Sequence, residues 1–205
     1  MRSTFVCVLC LGAVACQRAP SDGAPASDTA GAARSSDPSA PRPTPSSATH
    51  GNAKPVAVTW NEPSNWKRLE VTSPMRSASY EVSPEAGDPE PADFGVFYFG
   101  PDRPGVVERN VARWIEQFEG IDKASVKDTS RELNGLTQRI IEIEAGTYKS
   151  GMPGGPTTPK PGFAMLGAIV TTPAGSHFFK LVGPKNTVSS QRKRFFELLD
   201  SVHPK

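Results

Sequence analysis

The sequence predicts an α+β domain, a mostly antiparallel β-sheet packed with two helices. Three observations predict it. Residues 92–100 (ADFGVFYFG) are aromatic and β-branched between chain breakers, the signature of a strand. Residues 106–118 (VVERNVARWIEQF) place Val107, Val111, Trp114, Ile115 and Phe118 three and four apart, which is one helical stripe, while Glu108, Arg109, Arg113 and Glu116 face the other way. The element order is strands, helix, strands, helix. With no regular strand–helix alternation, an antiparallel sheet is favoured over a parallel βαβ arrangement.

In chain order, residues 1–15 read as a bacterial export signal: Arg2, then a short apolar run from Phe5 to Ala15. The run is too short for a membrane span, which needs roughly twenty apolar residues. Ala13-Val14-Ala15 suits an ordinary signal peptidase, and the same residues before Cys16 resemble the lipoprotein box, although Ala13 stands where that box usually has Leu. Cysteine usage favours the second reading. Cys7 and Cys10 leave with the signal and no cysteine follows Cys16, so the exported chain would carry one thiol with no disulfide partner. Diacylglyceryl modification of Cys16 explains it, and the protein is then held to the membrane by lipid. Gln17 in place of Asp resembles the outer-membrane sorting pattern, which implies a cell-envelope lipoprotein facing the periplasm or the cell surface.

Residues 16–55 are rich in Ala, Pro, Ser, Gly, Thr and Asp, with no aromatic, Leu, Ile or Met. Such a segment buries too little apolar surface to offset its ordering entropy, so it is expected to be a disordered tether spanning on the order of 35 Å. His50 lies in it and is not expected to do chemistry.

The folded domain is expected over residues 56–205, enough for one core. The formal charge of +2 implies no nucleic-acid partner. Residues 56–60 read as a first strand, 66–71 as a second and 75–82 as a third, followed by a loop at 83–91. After strand 92–100, a Pro-Gly turn leads into the first helix, which Gly120 ends. Residues 125–132 and 136–145 read as strands. Residues 146–162 carry Pro153, Pro156, Pro159 and Pro161 among glycines and read as a long mobile loop or lid. Residues 163–172 and 176–182 read as a hairpin. Residues 187–202 read as the second helix, capped by Asn186 or Thr187, with Val188, Phe195, Leu198, Leu199 and Val202 as its stripe.

The strands around Trp60-Asn61-Glu62-Pro63-Ser64-Asn65-Trp66, the central helix, the late hairpin and the closing helix with Phe195-Phe196-Glu197-Leu198-Leu199-Asp200-Ser201 together resemble the PsbP-like superfamily. That superfamily holds lumenal photosystem proteins, a small nuclear-transport factor and bacterial lipoproteins. The resemblance covers about residues 56–202 and implies an α/β/α sandwich with a role in binding or assembly rather than catalysis. Its metal- and partner-binding residues match no position of this sequence.

Candidate chemistry is sparse. There is no Gly-x-Ser-x-Gly elbow and no cysteine in the domain. His203 is near the end of the chain, and His177 reads as a strand residue, with a hydrolase around it the least favoured of three function classes. Too few His and Cys ligands exist for zinc, and the acidic loop 87–93 lacks calcium-loop spacing, so neither metal nor cofactor is expected. The Gly-rich stretch 151–155 lacks the Lys and Ser/Thr of a phosphate loop. Glu142 and Glu144 share one strand face and read as a solvent-facing stripe. Trp60, Trp66 and Trp114 read first as packing residues. A possible binding surface comprises Trp66 and the basic run Arg192, Lys193 and Arg194, with Lys185 nearby. The sequence thus implies a non-enzymatic, membrane-anchored lipoprotein with an envelope protein partner. The alternative is a small-molecule or glycan-binding domain that uses aromatic residues near Trp66 with residues 146–162 as a lid.

Overall fold

The structure, a computed structural model, describes residues 58–151 and 155–205. The expected signal peptide (1–15), Cys16, the 16–55 tether with His50, and Val56 and Ala57 lie outside the described residues, as do Met152, Pro153 and Gly154. The elements are β1 Val58–Thr59, β2 Trp66–Leu69, β3 Arg76–Val82, β4 Ala92–Tyr98, α1 Val106–Glu116, β5 Phe118–Glu119 and β6 Lys127–Leu133. Then follow β7 Leu136–Gly151, β8 Thr157–Thr172, β9 Gly175–Pro184, α2 Lys185–Ser190, α3 Arg192–Asp200 and β10 His203–Pro204.

Eight strands form one sheet in the order β2-β3-β4-β9-β8-β7-β5, with β6 also paired to β7. All its pairings are antiparallel. β1 and β10 form a separate antiparallel pair. The fold is the α+β arrangement expected, and both faces of the sheet are covered. Successive strand residues point to opposite faces, so Phe178 joins one core and Phe179 the other. On one face Tyr80, Phe94, Phe179 and Leu181 pack against Val188 of α2 and Phe195, Leu198 and Leu199 of α3. On the opposite face Ile141, Met165, Ile169 and Phe178 pack against Val111 and Trp114 of α1. The β6–β7 turn uses Asn134 at φ 54° and Gly135 at φ 73°, the left-handed pair that a tight two-residue hairpin demands.

Several expectations are corrected. Residues 146–162 are mostly strand: β7 runs on to Gly151 and β8 starts at Thr157, with Tyr148 opposite Lys160 and Gly151 opposite Thr157. The prolines fit because β9 stops opposite Phe163. Pro159 and Pro161 therefore lie where β8 has only β7 as neighbour, and a missing N–H on the unpaired side breaks no ladder. Helix α1 ends at Glu116, not Phe118. Phe118 pairs with Tyr148 as a strand residue while its ring, 5% exposed, still completes the stripe begun by Val111 and Trp114.

The second helix is two. Gln191 (φ −88°, ψ −3°) interrupts it and turns its amide inward, where Oε1 accepts a 3.0 Å bond from the Trp66 indole. The cap of α2 is not local either: Pro184 occupies the cap position, and the carboxylate of Asp88 in the 83–91 loop accepts bonds from Thr187 N (2.8 Å), Thr187 Oγ1 (2.6 Å) and Asn186 Nδ2 (3.0 Å). Those bonds, led by the Thr187 hydroxyl, hold the Asp88 carboxyl below its usual range.

Candidate functional site

The α1 face carries a cleft. Helix α1 is aimed at the sheet by Trp114, whose ring lies over Gly167 of β8: a Cβ at Gly167 would sit 2.5 Å from Trp114 Cζ3. The absent side chain lets the helix approach the sheet there, and Trp114 meets Phe178 edge-on at 6.3 Å. Beyond the last turn of α1 the helix gives no further cover. A cleft of about 330 Å³ opens between Arg113, Trp114 and Gln117 on one side and Phe97, Phe99, Phe178 and Lys180 of the sheet. Ser73 and Met75 rim it, and the tip of the β7 arm reaches it at Gly151. Met75 (54% exposed) and Phe99 (42%) stand at its mouth, with Phe99 stacked on Phe97 at 6.3 Å.

The polar groups of the cleft are cationic. Lys180, half-buried, donates from Nζ to Gln117 Oε1 at 2.7 Å and to the Tyr148 hydroxyl at 3.4 Å, and lies 5.0 Å from the Tyr148 ring centre. Arg113 donates to Asn110 Oδ1 at 2.6 Å. Among the described residues neither cation forms a salt bridge with a carboxylate. Asp93, whose field reaches Lys180, is bonded by Arg76 at 2.5 Å. Burial pushes the Lys180 ammonium down to about 7, and the like charge of Arg113 acts in the same direction. Burial also raises the Tyr148 phenol.

The residues singled out from sequence are scattered. Trp66 is 5% exposed, packed on Phe94 at 4.8 Å and Tyr80 at 6.3 Å, so it belongs to the α2/α3-side core and to no surface. Trp60 meets Phe179 edge-on at 5.4 Å. The basic run splits three ways. Arg192 clamps Glu142 with Nε at 2.7 Å and Nη2 at 2.9 Å and lies 4.6 Å from the Phe196 ring centre. Lys193 is exposed beside Glu197 at 3.7 Å, and Arg194 lines a polar cleft with Asn61 and Glu62.

Glu142 is therefore buried, at 9% exposure, and is no part of a solvent stripe. Its neighbour Glu144 is exposed and bonds Lys127 at 2.8 Å. The proposed lid is the β7–β8 arm, whose pairing leaves it no freedom to act as an independent loop. His177 is 7% exposed and stacks on Tyr98 at 4.9 Å. Beside it, Ser176 Oγ donates directly to Asp102 at 2.5 Å while its backbone N–H bonds the other carboxylate oxygen at 2.9 Å. That geometry anchors the hairpin and does not place an imidazole between serine and carboxylate. In the acidic loop, Glu90 is bonded by Lys160.

Sequence reasoning missed Arg113, Lys180, Phe97, Phe99 and Met75 as a group. One signal was there: in Ser176-His177-Phe178-Phe179-Lys180-Leu181-Val182 the strand period puts Lys180 on the same face as Phe178 and Val182, a charge at an inward position.

No protein-family model matches the chain, so the PsbP-like resemblance stands on element order and the short sequence patterns given above, and no curated protein matches the chain. Among solved structures the fold is similar to that of LpqN of Mycobacterium tuberculosis, a protein involved in cell envelope biogenesis. The likeness has a TM-score of 0.48 at 13% identity over 76% of this chain and 88% of that one.

Proposed function

We propose that this chain is a non-enzymatic lipoprotein of the bacterial cell envelope, anchored through Cys16, whose folded domain is a small-molecule binding module. The export signal and the lone Cys16 support the anchor. The cleft beside α1 carries the binding reading, because its volume of about 330 Å³ falls within the range of about 300–1,000 Å³ typical of ligand sites. Its apolar floor and few convergent polar groups are what such sites use. A second reading, an envelope protein partner, is favoured by Met75 and Phe99, large apolar side chains left exposed at the cleft mouth.

Tryptophan emission tests the first reading. Ligands from a panel of neutral and charged amphiphiles are expected to quench or shift the emission of the Cys16→Ala protein, with the response lost in Trp114→Phe. Emission unchanged across the panel would remove the small-molecule reading. Recovery of the Cys16→Ala protein in the same membrane fraction as the wild type would remove the anchor.

A further inference from the structure

We infer that the cleft selects an amphiphile with a single anionic head group, a carboxylate or a phosphate, over its neutral counterpart. Lys180 and Arg113 hold the head, and Trp114, Phe97 and Phe178 hold the apolar tail. This rests on the reading of the cleft as a ligand site.

The cleft holds positive charge without a counter-ion among its lining residues. Lys180 spends two of its three ammonium hydrogens on Gln117 Oε1 and the Tyr148 hydroxyl. Both partners are neutral, so they satisfy hydrogen bonds without cancelling the charge. Arg113 adds a second cation to the same cleft, and its side-chain partner among the described residues, Asn110, is neutral too. Lys180 is half-buried, and taking a cation out of water is costly unless it is paired; the like charge of exposed Arg113 adds to that cost. The nearby carboxylate, Asp93, is bonded by Arg76 on the sheet and does not line the cleft. An anion entering from solvent supplies the missing counter-charge, and low-dielectric walls strengthen its attraction.

The shape of each group narrows the class further. The guanidinium of Arg113 offers a planar fork suited to two oxygens of one carboxylate or phosphate, and Lys180 offers its remaining hydrogen as a point charge. The floor is apolar along its length, through Phe178, Trp114 and Phe97, so a small hydrophilic anion would leave it unfilled. An acyl or aryl tail fills it. Met75 and Phe99 at the mouth extend that surface outward, where a longer tail emerges.

The test is calorimetric titration of the full chain carrying Cys16→Ala, which removes any acyl group of its own. The probes are octanoate, octyl phosphate and 1-octanol, at a pH below 7 where Lys180 is charged. Both anions are expected to bind about tenfold or more tightly than octanol, and the tighter of the two identifies the head group. Lys180→Met and Arg113→Met are each expected to bring that ratio toward one while octanol affinity stays the same. Arg113 is exposed, so its variant keeps the test meaningful if Lys180→Met folds poorly. Octanol bound as tightly as the anions by the wild type, or a ratio that survives in both variants, would overturn the charge selection and leave the cleft a ligand site. No binding of any probe would overturn both readings.

Discussion

The two faces of the sheet are finished differently. On the α2/α3 face, Tyr80, Phe94, Phe179 and Phe195 are all at 0% exposure, and three polar side chains there have defined partners. Glu142 has Arg192, Gln138 donates to Leu199 O at 2.9 Å, and Gln191 takes the Trp66 indole. On the α1 face a single helix of 11 residues packs Val111 and Trp114 against Ile141, Met165, Ile169 and Phe178. There Phe97 and Phe99 stay partly open, and among the described residues two cations form no salt bridge. Strand β9 shows the contrast in four residues: Phe179 and Leu181 vanish into the closed face, while Phe178 and Lys180 line the cleft. One face buries its aromatic rings completely, and the other leaves an apolar cleft beside them.

The largest test of that asymmetry is a pair of truncations. Phe94→Ala removes a ring touching Trp66, Tyr80, Phe179 and Phe195 and is expected to cost about 3–5 kcal/mol. Phe97→Ala, at a half-open site, is expected to cost less than half as much. Urea unfolding of both variants reads the difference, and equal losses would mean that the α1 face is as tightly packed as the other.

Next in size is Gly167→Val. Its side chain would occupy the space of the Trp114 ring, and overpacking of this kind costs about 1–3 kcal/mol. The loss should appear together with a red shift of tryptophan emission as Trp114 is lifted into solvent. Destabilisation with emission unchanged would show that the helix does not rest on this glycine.

The smallest effect is a pH dependence, because solvent reaching half-buried Lys180 screens much of its charge. Lys180 binds its proton less tightly in the folded chain, at about 7, than the ordinary 10.5 that an unfolded chain restores. The unfolded state therefore holds more protons between those values, and stability rises with pH across that window. The cost of the buried charge is full below about 7 and gone above about 10.5. Lys180→Met should raise the melting temperature by a few degrees near pH 6, with the gain shrinking as pH climbs toward 10. A gain independent of pH would mean that packing, not charge, is the cause.

The sequence made much of the closed face legible because its signals are local. The aromatic and β-branched run in 92–98 lies within one strand, and Phe195, Leu198 and Leu199 lie within one helix, so each is read from its own element. What was hidden depends on distant partners. Nothing near Glu142 foretells Arg192, 50 residues on, so an alternating carboxylate looked solvated. Asp88 caps a helix 99 residues away. The β7–β8 arm was masked by its prolines, which break a central strand but are tolerated on a strand with one open side. The cleft itself lies between residues of α1, β4 and β9 that are far apart in the sequence, and no periodicity within one element reports such a meeting. Only Lys180, a charge on an inward strand position, marked it from within the sequence.

The pairing of β1 with β10 bears on timing. Thr59 lies opposite His203, and Asn61 N donates to Ser201 Oγ across 140 residues. The strand that opens the domain has no partner until almost the whole of it has been synthesised, and pairings so far apart in the chain form slowly. Under the proposed export that delay is useful: the leading edge stays open through transit, and the fold closes like a clasp once the last strand has arrived.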